Sequence, residues 1–167
     1  MLIVMCGLPG TGKTTLARLL VARIGAVHLR VDTIEQAIVR SGVARHPVGP
    51  LGHAVGYALA EEHLRQGLTV IAESVNPLIG TRDAWRHTAV GKGVRVVEVE
   101  VACSDPAEHR RRVTSRSADI PGLPLPDWQQ VVDREYEPWD RERVVVDTAG
   151  QSPHQSLALL LRGLASD

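Results

Sequence analysis

Residues 2–15 read Leu-Ile-Val-Met-Cys-Gly-Leu-Pro-Gly-Thr-Gly-Lys-Thr-Thr, and few stretches restrict a fold so tightly. Gly7, Gly12, Lys13 and Thr14 fill every fixed position of the pattern G-x-x-x-x-G-K-[ST]. An apolar run with strand character precedes the loop, and a helix-like segment from Thr15 to Ile24 follows it. This strand–loop–helix unit wraps phosphates in backbone N–H groups and adds the partial positive charge of a helix N-terminus. Gly7, Gly10 and Gly12 allow turns closed to other residues. Lys13 is expected to bridge the β- and γ-phosphates, and Thr14 to place its hydroxyl on Mg²⁺. Thr11 and Thr15 complete the expected nucleotide contacts. The chain has seventeen arginines but only two lysines, so a lysine in the loop is an exception with a reason. A compact ammonium fits between phosphate oxygens where a planar guanidinium does not.

At 167 residues one domain, 1–167, is expected, large enough for a core without disulfides or structural metal. Acidic and basic side chains balance at nineteen each, which argues against a general polyanion-binding surface. With Phe absent and only three Trp and two Tyr, little remains for a base-stacking platform, so no nucleic-acid partner is expected. Cys6 and Cys103 form neither a disulfide framework nor a zinc pattern, and read as buried thiols in a reducing compartment. No basic leader or cleavage site precedes the loop, and no apolar run approaches a membrane span. The expectation is a cytoplasmic protein, monomeric or homodimeric, with no membrane contact.

Five short apolar runs read as strands: Leu2–Cys6, Val27–Val31, Leu68–Ala72, Val94–Ala102 and Arg143–Asp147. Helical patterns lie between and after them at Lys13–Ile24, Thr33–Arg40, Pro50–Gln66, Thr81–Val90, Pro106–Ser117 and Pro153–Ala165, with a short one from Asp127 to about Tyr136. Such alternation predicts an α/β fold in three layers, a parallel sheet covered on both faces. Asp32 and Glu35 have the spacing of a capping box for the second helix. Two stretches break the pattern. Residues 41–56 include a flexible connection, and residues 118–126 are proline-rich and follow an arginine cluster. In a phosphate-transferring enzyme these are a substrate cover and a lid.

The loop motif, the Val31-Asp32-Thr33-Ile34-Glu35 segment and the Arg-rich helix after the fourth strand together resemble the small P-loop kinases. Within that group the chain is most similar to kinases that phosphorylate small-molecule hydroxyls, such as chloramphenicol phosphotransferase, gluconate kinase, adenylylsulfate kinase and the zeta-toxin type. The resemblance runs from Leu2 to about Gly150, and only the phosphate loop in it is highly specific. It implies the P-loop NTPase sheet order 2-3-1-4-5, Mg-ATP as phosphoryl donor and a small hydroxylated acceptor. It also implies that Asp32 manages the acceptor hydroxyl; the alternative is that Asp32 only caps a helix.

Glu73 closes the third strand, where many P-loop proteins carry an Asp that holds Mg²⁺ through water. Glu73 therefore stands as a metal or substrate contact, or as a structural acid balanced by a neighbour such as Arg82. Arg82 itself, with Asn76 and Arg86, follows that strand toward the expected acceptor pocket. Arg112 and Arg116 lie four residues apart, spaced to share a helix face and to neutralise the triphosphate during transfer, unless the cluster is a solvated basic face. Asp147 and Thr148 stand where the resembling kinases pack the adenine. His46, His53 and Tyr57 lie in or near the flexible cover. The leading function is an ATP-dependent phosphotransferase. Alternatives are an ATPase or nucleotide switch without an acceptor, or a zeta-toxin-like sugar-nucleotide kinase.

Overall fold

In the computed structural model, which describes residues 1–90 and 92–166, all five strands join one parallel sheet. They are β1 (Leu2–Cys6), β2 (Val27–Arg30), β3 (Val70–Glu73), β4 (Val96–Ala102) and β5 (Val144–Asp147), in the order β2-β3-β1-β4-β5. The helices are α1 (Lys13–Ile24), α2 (Val31–Arg40), α3 (Leu51–Arg65), α4 (Ile79–His87), α5 (Pro106–Ser115), α6 (Trp128–Val132) and α7 (Pro153–Ser166). This is the P-loop NTPase-like arrangement: the alternation of elements predicts the covered parallel sheet, and the family resemblance implies the strand order that is found.

Strand β1 lies at the centre and shows why both faces must be covered. Ile3 and Met5 point to one face, into a cluster with Leu16 and Leu20 of α1 and Leu160 of α7. Leu2, Val4 and Cys6 point to the other, against Ala60 and Leu64 of α3 and Trp85 of α4. The alternation is that of any strand, but here every residue is buried. Each fully buried aliphatic side chain contributes roughly 1.5–3 kcal/mol. The loop after β1 is thus rooted in a strand buried along its whole length.

Element ends depart from expectation where burial overrides local pattern. β2 stops at Arg30, and α2 begins at once with Val31, which is buried against the α3 and α4 face. Asp32 therefore lies in the first turn of α2. The expected Asp32–Glu35 capping box does not form, because the N-cap is Arg30 and no side chain caps the helix. Residues 51–56, expected within a flexible cover, belong to α3. Gly52 and Gly56 are buried there, and a Cβ at Gly56 would stand 3.0 Å from the Trp85 ring. Cys6 is buried and its thiol is pushed up to about 12 by desolvation, whereas Cys103 is only half-buried. Among the described residues no helix is long and apolar enough to cross a membrane.

Candidate functional site

At the carboxyl ends of β1, β2 and β3 the loop between β1 and α1 opens onto a cleft of about 680 Å³. This is the edge where ligands of open α/β sheets bind. Gly10, Gly12, Lys13, Thr14 and Thr15 line it, together with Asp32, Glu73, Arg112, Arg116 and Thr148. The fold thus brings together residues from five different segments.

The loop's shape depends on glycine at its base. Gly7 has φ 137°, and a Cβ on it would lie 2.1 Å from the Val101 carbonyl oxygen, so no other residue fits. Gly12 caps α1 in a left-handed conformation with no side chain on the free N–H groups of the first turn, which leaves them for an anion. Lys13 is 8% exposed and donates to the Leu8 carbonyl at 2.9 Å. Burial lowers its pKa to about 8, against the pull of Glu73 and Asp32. A desolvated ammonium in a cradle of N–H groups fits a polyphosphate.

Glu73 is almost fully buried and is held from two sides. Thr14 donates its hydroxyl to Oε1, and His28 Nε2 donates to Oε2 at 2.8 Å. Burial alone would raise its pKa, but these bonds and the Lys13 charge keep it below the usual carboxylate value. Its partners are thus His28, Thr14 and Lys13, and Arg82 is not among them. A hydroxyl and a carboxylate side by side are hard oxygen donors of the kind Mg²⁺ takes. Among the described residues no group of three or more His, Cys, Asp and Glu could cage a metal. Such an ion would draw its remaining ligands from phosphates and water.

Asp32 is half-exposed, with Arg30 Nη2 3.5 Å from Oδ2. Arg112 is fixed by Thr148, donating to its hydroxyl at 2.7 Å and its carbonyl at 2.9 Å, and by Glu108 at 2.5 Å. Arg116 terminates α5 in an extended conformation. Its Nε and Nη2 are buried without a partner, and burial lowers its pKa against the attraction of Asp32. An unpaired buried donor costs about 1–3 kcal/mol, more when charged. An oxygen of a bound anion would satisfy such a guanidinium.

Four expected contacts do not line the cleft. Gly7 sits beneath the loop, against Val101. Thr11 turns inward, donating to the Leu8 carbonyl at 2.9 Å, while its own carbonyl accepts from Thr148 at 2.9 Å. Asp147 spends its carboxylate on the N–H groups of Ser104 and Ala149, holding the turn after β5. Arg82 is 0% exposed. It donates to the carbonyls of Asn76, Pro77, Glu137 and Pro138 and lies over the rings of Tyr136 and Trp139. That makes it a structural tie rather than an acceptor contact. Asn76 is likewise internal, accepting from Trp85 Nε1 at 3.1 Å, and Arg86 pairs with Glu98. Tyr57 packs edge-on against Trp85. His53 bonds Ser74, and His46, which bonds Gln36, does line the cleft.

Three contributors went unread in the sequence. His28 and Arg30 alternate with buried Leu29 in β2, and Arg30 pairs in register with Glu73 of β3. Period-two alternation in Val-His-Leu-Arg was the available signal. His109 donates to the Pro9 carbonyl at 2.8 Å and packs edge-on against Trp128. It supports the loop from α5, and nothing local announces it.

The AAA_33 family profile, described as an AAA domain, matches residues 2–134. No curated protein sequence matches the chain. Among solved structures it is similar to an unliganded sugar kinase from Janibacter sp., at TM-score 0.69 and 20% identity over 98% of this chain and 94% of that one. A gluconokinase from Sinorhizobium meliloti gives 0.68 and 19% over 98% and 91%. Kti12 from Chaetomium thermophilum, in complex with ADP-AlF3, gives 0.69 and 22% over 98% of both chains. At these identities the likeness is one of fold.

Proposed function

The chain belongs to the AAA_33 family, and from that premise we propose that it moves the γ-phosphoryl group of Mg-ATP to a hydroxyl of a small acceptor. One juxtaposition carries the reading. Asp32 caps nothing, is open to solvent, and lines the same cleft as Lys13, close enough to act on its charge.

The residues divide the work as follows. The N–H groups from Gly10 to Thr14 and the Lys13 ammonium hold the phosphates. Thr14 and Glu73 are the residues that would hold Mg²⁺, which supplies neutralisation of phosphate charge. Asp32 accepts the proton of the acceptor hydroxyl as that oxygen bonds to the γ-phosphorus and the bond to the β-phosphate oxygen breaks. Arg116, with unspent donors, and Arg112, aimed by Thr148, neutralise charge on the transferring group. Residues 118–126 form the lid, of which Leu123, Pro124, Leu125 and Pro126 line the cleft; residues 41–50, through His46, form the acceptor-side cover.

The test is transfer of ³²P from γ-labelled ATP across sugars, sugar acids, nucleosides, adenylylsulfate and hydroxylated antibiotics. Label appearing in an acceptor supports the kinase. Release of inorganic phosphate alone, unchanged by every acceptor, would replace it with an ATPase or switch.

A further inference from the structure

The kinase reading assigns Lys13, Arg112 and Arg116 to the nucleotide and gives no task to Arg30, a largely enclosed cation that also lines the cleft. Arg30 is 12% exposed, ends β2 beside Glu73, and points Nη2 toward Asp32. Its tightest partner lies off the sheet. Nη1 is 2.7 Å from Asp119 Oδ2, and the same oxygen takes Arg18 Nη2 at 2.5 Å. Asp119 belongs to the loop between α5 and α6 and is 37% exposed. Both Arg30 and Asp119 line the cleft.

The two halves of this pair differ in what separation would cost them. The carboxylate can swing into water at little loss. The guanidinium, 12% exposed at the carboxyl end of the edge strand β2, would keep only Asp32, at 3.5 Å, as an anion. Arg30 Nε is moreover buried with no partner, so the group has donor capacity that one oxygen of Asp119 does not use. A planar fork with spare donors, next to the carboxylate that would take the acceptor's proton, suits a second carboxylate or a phosphate in a two-oxygen contact.

We propose that Arg30 binds an anionic group, carboxylate or phosphate, on the hydroxylated acceptor, and that Asp119 holds this place until the acceptor displaces it. The inference rests on the kinase reading and narrows its acceptor to hydroxylated anions. Arg30 selects the acceptor, and the loop bearing Asp119 is released when the acceptor enters.

The experiment uses the full chain saturated with Mg²⁺ and a non-hydrolysable ATP analogue, titrated calorimetrically with glycerate, glycerol 3-phosphate and glycerol. These share a hydroxylated three-carbon skeleton and differ in the anion. At least one anionic probe should bind more tightly than glycerol by roughly tenfold or more, the scale of a charged hydrogen bond. Which one does so separates carboxylate from phosphate recognition. Asp119→Asn should tighten the anionic probe several-fold by removing its internal competitor, and Arg30→Met should erase the preference over glycerol. If Arg30→Met does not fold, Arg30→Lys replaces it, and loss of the two-oxygen contact should still reduce the preference. No preference in the parent protein, a preference that survives at Arg30, or weaker anion binding in Asp119→Asn would each overturn the proposal. Affinity for the analogue, measured in the same series, reports separately on the nucleotide reading. Its absence would sink that reading instead.

Discussion

Lys13 offers a stability measurement that tests the phosphate site without any substrate. Its pKa is held at about 8 against an ordinary 10.5 because burial penalises the ammonium. The unfolded chain therefore binds this proton more tightly than the folded one, and the charge opposes folding. The penalty is fully present below pH 8, shrinks between about 8 and 10.5, and vanishes above that range, where the amine is neutral in both states. A displacement of this size corresponds to about 3 kcal/mol. Lys13→Met, similar in length and uncharged, should accordingly stabilise the nucleotide-free protein. At roughly 2–4 °C per kcal/mol for a chain of this size, the gain in Tm at pH 7 has a ceiling near 6–12 °C. The lost bond to the Leu8 carbonyl reduces it. Melting curves of both proteins at pH 7 and pH 10 should show the gap close as pH rises. Mg-ATP at about a hundredfold above Kd should add roughly 3 kcal/mol to the parent alone and narrow or reverse the order. A Met variant that melts below the parent at pH 7 without nucleotide, or a gap indifferent to pH, would refute the reasoning.

Asp32→Asn should lower phosphoryl transfer by roughly 10²-fold at saturating ATP; since Asp32 caps nothing, Asp32→Ala should melt with it, and intact transfer in either would move the base to another residue. Gly7→Ala combines left-handed strain of about 1–2 kcal/mol with overpacking of about 1–3 kcal/mol against the Val101 carbonyl. Gly25→Ala, with φ 66° and nothing within 4 Å, carries the strain alone. Urea unfolding should therefore rank Gly7→Ala as clearly worse, and equal losses would show that the loop's base yields. Arg82→Met should cost at least roughly 3 kcal/mol by stripping several buried carbonyls of their donor, with no change in acceptor KM. A raised KM in a folded variant would return Arg82 to the acceptor site.

What the sequence disclosed was what local spacing encodes. The Gly7–Thr14 motif names its own chemistry, and the alternation of apolar runs with helical periods was enough for a covered parallel sheet. Strand order came from the resemblance, since pairing across the sheet leaves no trace in a local window. The surroundings of Arg82 are not legible locally, because beside Asn76 and Pro77 they are built from Tyr136 to Trp139, more than fifty residues on. Asp32 reads as an acid that manages the acceptor hydroxyl or as a helix cap, because Val31 reads equally well as the end of a strand; α2 in fact begins at Val31, which puts Asp32 inside its first turn. Arg116 was legible as a charge but not as an unpartnered one, because its environment is assembled from α2, β2 and the end of α5.

The order β2-β3-β1-β4-β5 divides the cleft into two regions of unequal tolerance. The phosphate loop leaves β1, a strand hydrogen-bonded on both sides, and the amides of that strand exchange with solvent only when much of the sheet opens. His28 and Arg30 sit on β2, which has a neighbour on one side only, and Asp119 sits on a loop. Substitutions there can be absorbed by an edge that frays locally. Descendants of this chain can therefore diverge at the β2 end of the cleft while the β1 end stays unchanged, so what the outer part of the cleft receives can change without rebuilding the core.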